Sequence, residues 1–138
     1  NRHKHPIPLF GLWLIHVFPD LPIGIVEGEK TALIMTYYNP NILWLSTGGA
    51  NMLNVTKINP IKDREIYLYP DVGMFVEWYK QMRKIENHYP GIKIDISNEC
   101  EILHNQEFLS IGDDIADYYL KAYKWSHKRQ KIERQEIK

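Results

Sequence analysis

The sequence is poor in cysteine, in long apolar runs and in net charge. Cys100 is its one cysteine, which excludes an internal disulfide framework and a cysteine-rich zinc module. The longest apolar stretch, residues 10–18, contains His16 and is far shorter than the roughly 20 residues that cross a bilayer. We therefore expect no membrane partner and a reducing, cytoplasmic setting.

Composition places the chain among ordinary globular domains. Its 138 residues are 44% hydrophobic and 25% charged, which excludes a disordered or fibrous chain and allows one domain. The chain begins at Asn1 and has no signal-peptide pattern, so we interpret it as a fragment whose partners include the remaining domains of a larger protein. We predict a linker over residues 1–8, a domain over residues 9–123 and a basic helix or tail over residues 124–138.

The zero net charge conceals basic ends and an acidic middle. Residues 124–138 carry six Lys or Arg against Glu133 and Glu136, a net of +4, whereas residues 6–123 carry a net of −6. A basic tail can contact the phosphates of nucleic acid, and the alternative is a solvated terminal helix. An acidic middle between basic ends is also what a metal site would produce.

Strand and helix patterns alternate along the chain. Short apolar runs bounded by turn residues predict strands, and apolar residues spaced by three and four predict helices. The predicted strands are residues 23–26, 42–45, 65–69 and 92–96, and the predicted helices are residues 9–17, 29–38, 51–58 and 73–88, with a loop and helix over 111–123. This order predicts an α/β, Rossmann-like fold: about four mostly parallel strands flanked by helices, an extra N-terminal helix and a C-terminal helical tail.

Two acidic residues end predicted strands. Glu27 follows the first strand and Asp71 follows the third. Functional residues of such folds gather beyond the carboxyl ends of the strands, so the two carboxylates would be close if their strands are neighbours. Close carboxylates repel unless one is protonated or a cation lies between them, and oxygen ligands suit Mg²⁺ or Mn²⁺. The alternative is that each acid caps a helix N-terminus.

Two further features at this predicted edge concern phosphate. Residues 28–31 look like the end of a P-loop, but Glu29 separates the glycine from the lysine, and residues 25–28 are too apolar, so we exclude a P-loop NTPase. Lys30 lies one turn into the predicted helix, where it either meets a phosphate or is an exposed helical lysine. The second feature is the tight turn of residues 46–49, which follows the second predicted strand.

Three segments, taken in order, resemble the Toprim domain, the fold shared by DnaG-type primases, topoisomerases and related nucleases. They are IVEGEKTA at residues 25–32, LSTGG at residues 45–49 and YLYPDVG at residues 67–73. The resemblance covers about residues 9–123, and it is greatest to the Toprim-like domain of primase-type proteins of bacterial mobile elements.

The resemblance implies a role for each matched residue. Glu27 matches the family's glutamate, a general acid/base or metal-holding residue, and Asp71 matches the first aspartate of its Asp-x-Asp pair, an Mg²⁺ ligand. Gly48 or Gly49 matches the glycine after the second strand. The second aspartate of the pair falls at Gly73, which is a departure from the family, so we expect Mg²⁺ (or Mn²⁺) to bind weakly.

Other acidic residues could replace the missing aspartate. Glu77 lies further along the helix that follows Gly73. Asp113, Asp114 and Asp117 form an acidic group whose alternative reading is a helix N-cap with solvated neighbours.

Three functions remain open at this point. The first is a Toprim-type domain of a primase-like replication or mobilisation protein, with Mg²⁺-dependent primase, nucleotidyltransferase or nuclease-type activity at Glu27 and Asp71. Its partners would be single-stranded DNA or RNA and nucleotides, with Lys30, Gly48 and Gly49 near phosphate. The second is a catalytically degraded module that binds nucleic acid or acts as a scaffold, and the third is a Rossmann-like domain that binds a small ligand.

Overall fold

The predicted α/β, Rossmann-like fold is confirmed. The structure, a computed structural model, describes residues 7–49 and 51–136, so most of the predicted linker and the last two residues of the tail lie outside it. Its sheet has four strands, all parallel, in the order β2-β1-β3-β4. They are β1 (Ile23–Val26), β2 (Leu43–Ser46), β3 (Ile66–Leu68) and β4 (Ile94–Ile96).

Helices connect the strands and continue after the last one. They are α1 (Glu29–Tyr38), α2 (Val55–Ile58), α3 (Phe75–His88), α4 (Glu99–Asn105) and α5 (Ile115–Glu136), with short 3₁₀ helices at Leu12–Ile15 and Asn59–Ile61. The helices α1 and α3 match their predicted spans closely because each has an apolar stripe and a clear stop. Helix α4 was not predicted, since its seven residues are too few to show a period.

The expected N-terminal helix over residues 9–17 is only a four-residue 3₁₀ turn. Two backbone hydrogen bonds of an isolated antiparallel bridge explain this difference. The N–H of Phe10 donates to the carbonyl of Ser46, and the N–H of Ser46 donates to the carbonyl of Phe10. The bridge holds the chain extended just before Gly11, whose φ of +80° turns it into the 3₁₀ segment. Pairing with the edge strand β2 therefore replaces helical hydrogen bonding at this point.

Both faces of the sheet are covered, as its continuous apolar strands require. The buried residues of one face pack against α2, α3 and the 3₁₀ segments, and those of the other face pack against α1, α4 and the start of α5. Trp44 lies over β1 so closely that a Cβ at Gly24 would sit 2.7 Å from its ring. Only glycine allows this contact, which explains a glycine in the middle of the central strand.

Helix α5 extends beyond the body of the protein. Its first turn buries Ile115 and Ala116, and Tyr119 packs against Tyr38 of α1 with ring centroids 5.4 Å apart. From residue 121 to residue 136 every side chain is exposed. Within the described ranges, no helix combines the length and the apolar character that crossing a bilayer demands.

Candidate functional site

Glu27 is the first residue after β1 and belongs to the interior of the molecule. Its side chain is 7% exposed. Its backbone carbonyl accepts from the N–H of Gly48 at 3.0 Å, which ties the end of β1 to the loop after β2. Gly28 follows with extended backbone as the N-cap of α1, so Glu27 lies at the carboxyl end of the sheet, next to a helix N-terminus.

Asp71 lies beside Glu27 because β1 and β3 are neighbours. The N–H of Tyr69 donates to the carbonyl of Ile25 at 2.8 Å. This hydrogen bond continues the pairing of β1 and β3 toward the carboxyl ends of the two strands. The side chains of Asp71 and Glu27 come within hydrogen-bonding reach of each other. The predicted proximity of the two carboxyl groups at one edge of one parallel sheet is therefore found.

The two carboxyl groups leave buried oxygens without partners. Among the described residues, neither Oε1 of Glu27 nor Oδ1 of Asp71 has a hydrogen-bond donor. Carboxylates only accept hydrogen bonds, so they can satisfy each other only when a proton or a cation lies between them.

Burial, the hydrogen bond with Glu27 and the charge of Glu27 raise the pKa of Asp71 to about 9, with smaller contributions from Asp114 and Asp117. Without a cation, the pair retains a proton at neutral pH.

Two further acidic residues, Asp114 and Asp117, lie at the start of α5, which contacts the loop after β3. Val72 donates its N–H to the carbonyl of Asp113 at 2.8 Å, and Gly112 donates to the carbonyl of Val72 at 3.1 Å. This two-bond bridge brings Asp114 and the rest of the α5 N-terminus to the loop that carries Asp71. Sequence reasoning named this acidic group but could not place it, because the bridge joins residues about 40 positions apart.

Asp114 has the expected role of N-cap and one contact more. Its N–H donates to Oδ2 of Asp117 at 2.9 Å, and the N–H of Asp117 donates to Oδ1 of Asp114 at 3.0 Å, a reciprocal cap. Its other oxygen, Oδ2, accepts from Oγ1 of Thr31 at 2.7 Å. Thr31, a buried residue of the first turn of α1, was not predicted to be part of the site.

The side chains of the remaining acidic candidates have partners of their own. Asp113 forms an ion pair with Lys121 at 3.2 Å, and the backbone N–H of Ser110 is the main cause of its lowered pKa. Glu77 is exposed and pairs with Lys80 at 3.5 Å within the same helix. Neither residue takes the place of the second aspartate.

The backbone at Gly73 would be strained by an aspartate. Its φ is +94°, a conformation that side chains strain to adopt, and a Cβ built there would meet Ile111 at 3.8 Å. Its N–H also donates to Oε1 of Glu101 at 2.7 Å. The departure from the Asp-x-Asp pattern is thus accompanied by a backbone that suits glycine.

The predicted phosphate-contacting residues lie on the two segments that follow β1 and β2. Lys30 is exposed on the first turn of α1. Gly48 has a φ of +86°, and Gly49 supplies the carbonyl that accepts from Oγ1 of Thr47 at 2.8 Å.

Sequence analysis missed Lys57, a buried lysine whose Nζ donates to the carbonyl of Thr47 at 2.5 Å and whose pKa burial lowers. No motif in the sequence marks it.

The donor set fits a hydrated hard cation better than a preformed protein cage. Across residues 7–49 and 51–136, no three His, Cys, Asp or Glu side chains are already arranged as a metal-binding group. Glu27 and Asp71 provide two carboxylates with unpartnered oxygens. Mg²⁺ typically binds through one or two carboxylates and keeps several waters, so these two side chains are the ones that would hold it.

Comparison with known proteins gives one result. A family model described as "Domain of unknown function (DUF6371)" matches residues 2–72, half of the sequence. The chain belongs to the DUF6371 family. The matched segment includes β1, β2 and β3 with Glu27 and Asp71, whereas Asp114 lies beyond it. Neither the curated proteins nor the solved structures yield a significant match to the chain.

Proposed function

We propose that the chain is a Toprim-type domain of a primase-like replication or mobilisation protein that binds Mg²⁺ or Mn²⁺ at Glu27 and Asp71 and acts on phosphodiester bonds of nucleic acid. One observation carries the proposal. Two carboxyl groups meet at the carboxyl ends of neighbouring parallel strands, and each has a buried oxygen without a donor among the described residues. Burying such a pair is unfavourable, and a cation between the two groups removes the cost.

Each of the two side chains has a distinct place in this proposal. Asp71 is only half-buried and lies on the more open side of the pair, so it is the residue that a solvated cation reaches first. Glu27 is almost fully buried and can bind the cation or take a proton from a reacting hydroxyl. The cation, when bound, would neutralise charge on a phosphoryl group.

Nucleic acid would be held by groups at this edge and along the projecting part of helix α5. Helix α5 presents exposed basic side chains beyond residue 121, and Arg129 lies 5.6 Å from the centroid of the Trp125 ring. Basic grooves and exposed aromatic rings are the groups that bind single strands without sequence preference. Lys30 and the loop of Gly48 and Gly49 are the candidates for phosphate near the reacting bond. This proposal includes a reducing, cytoplasmic setting, which the single cysteine of the sequence favours.

The backbone at Gly73 favours a second candidate function. A site with two carboxylates in place of three binds Mg²⁺ weakly, in the millimolar range or looser (about −4 kcal/mol). A domain of this kind can have lost catalysis and kept nucleic-acid binding. The catalytic candidate should turn over a nucleic-acid substrate with Mn²⁺, whereas the candidate that has lost catalysis should not. Both should bind single-stranded DNA at low salt, whereas a domain for a small ligand should not.

The decisive experiment is Mn²⁺ titration by calorimetry, with thermal unfolding recorded alongside. We expect weak binding that Glu27→Gln and Asp71→Asn each abolish. Glu86→Gln is the matched control, because Oε1 of Glu86 is also buried without a donor among described residues, yet Glu86 pairs with Arg83 on α3. Binding that survives both site substitutions would refute the metal site, and loss of binding in Glu86→Gln would show a non-specific effect.

A further inference from the structure

We infer that Asp114, at the start of α5, supplies the third negative charge of the Glu27–Asp71 cation site and accepts hydrogen bonds from waters of the bound ion. The inference rests on the proposed function and deepens it. The residue comes from a different element from the aspartate expected at Gly73, and it lies outside the segment that matches the family.

The backbone places Asp114 at the site independently of its side chain. The bridge between Val72 and residues 112–113 joins the loop after β3 to the residue immediately before Asp114. Asp71 is adjacent to Val72 on one side of this bridge, and Asp114 is adjacent to Asp113 on the other. The charge of Asp114 accordingly acts on Asp71.

The side chain of Asp114 is held by contacts from two helices. Thr31 of α1 donates to Oδ2, and the N–H of Asp117 donates to Oδ1. Thr31 lies in the first turn of α1, four positions after Glu27, so its hydroxyl ties Asp114 to the helix that begins just after Glu27. Each carboxylate oxygen of Asp114 keeps capacity for a further donor, such as a water bound to the cation.

A pure capping role explains only part of this arrangement. It accounts for the reciprocal bonds between Asp114 and Asp117, which need no other element. It does not account for the Thr31 bond or for a carboxylate whose charge acts on the buried Asp71, which raises the electrostatic cost of the cluster.

A separate observation indicates a ligand. Oε1 of Glu27 is buried in a side chain that is 7% exposed, and it has no donor among the described residues. A cation satisfies this oxygen and offsets the repulsion among the three acids together.

The substitution Asp114→Asn tests the inference without removing the cap, since asparagine caps helices as well as aspartate does. We expect Mn²⁺ affinity, measured by calorimetry on the chain, to fall about 10-fold, the size seen when groups behind metal ligands are removed. Thermal unfolding without metal at about pH 8 should occur at the same or a higher temperature, because a repulsive charge is lost.

Asp113→Asn is the matched control, because Asp113 is the neighbouring acid and pairs with Lys121. It should leave Mn²⁺ affinity within about twofold, a change far below the effect of neutralising a group beside the ion. Thr31→Val removes the hydroxyl that holds Asp114 and should weaken Mn²⁺ binding in the same direction.

Two results would overturn the inference, and they differ in what they leave standing. Unchanged affinity in Asp114→Asn, with binding abolished by Asp71→Asn, would reduce Asp114 to a helix cap and leave the proposed function intact. No Mn²⁺ binding by the unaltered chain, or binding indifferent to Glu27→Gln and Asp71→Asn, would overturn the proposed function and the inference together.

Discussion

Asp71→Asn should stabilise the metal-free protein at neutral and alkaline pH. The raised pKa of Asp71 means that folding favours its neutral form, chiefly because burial and the neighbouring Glu27 disfavour the charge. The favourable contribution of the neutral group is complete below its ordinary pKa near 3.8 and is lost as the pH rises toward about 9. Asparagine is neutral at every pH and can donate to Glu27, so it removes this loss.

The size of the effect follows from the pKa difference. At about pH 7.5 a full shift from 3.8 would represent about 5 kcal/mol, at 1.4 kcal/mol per unit. Asp71 is partly exposed and shares its proton with Glu27, so solvent screening leaves about a third of this value. We expect Asp71→Asn to raise the free energy of unfolding by about 1–2 kcal/mol at this pH, and by close to zero near about pH 4.

Urea unfolding of both proteins, followed by circular dichroism across this pH range with chelator present, measures the difference. Asp63→Asn is the control, because it makes the same substitution at an exposed carboxyl in the loop before β3. A stability difference that does not change with pH, or that has the opposite sign, would refute the account of the buried pair.

Excess Mn²⁺ should reverse the order of stability. Under the proposed metal site, the unaltered protein would gain the free energy of metal binding, whereas Asp71→Asn would lack one of the proposed ligands and gain little. A residue that destabilises the metal-free fold and stabilises the metal-bound one is characteristic of a functional site rather than of a structural ion pair.

Four further outcomes are expected. Gly24→Ala should lower the free energy of unfolding in urea by about 1–3 kcal/mol, because the new methyl group meets the ring of Trp44, and an unchanged midpoint would contradict this packing. Cys100 should react with a thiol reagent only as fast as the protein opens, because the thiol is buried and burial is the main cause that raises its pKa to about 12. Rapid reaction of the native protein would contradict this burial. Gly73→Asp should reduce stability, because φ there is positive and strains any side chain, and an unchanged free energy of unfolding would contradict this backbone conformation. Deleting residues 124–138 should flatten a log–log salt dependence of single-stranded DNA binding whose slope is about −3 for four phosphates, and an unchanged slope would show that the tail is only solvated.

Local patterns sufficed for the elements with strong signals. The apolar run ending at Val26, the helix that stops before Pro40 and the stripe of α3 were predicted within one or two residues. The 3₁₀ turn near Leu12 was mistaken for a helix, because its apolar residues have a helical spacing while its hydrogen bonds go to a strand.

The sequence by itself determined an alternating α/β chain in which Glu27 and Asp71 each end a strand, since side-chain periodicity and turn residues act over a few positions. Only the tertiary structure decided that β1 and β3 are neighbours, because strand order arises from pairings between distant segments. It likewise brought Asp114 to Thr31, 83 positions away, through a backbone bridge that no local pattern encodes. The pair of Glu27 and Asp71 could therefore be predicted from the sequence. The position of Asp114 could not, because it depends on contacts between segments that are distant in the chain.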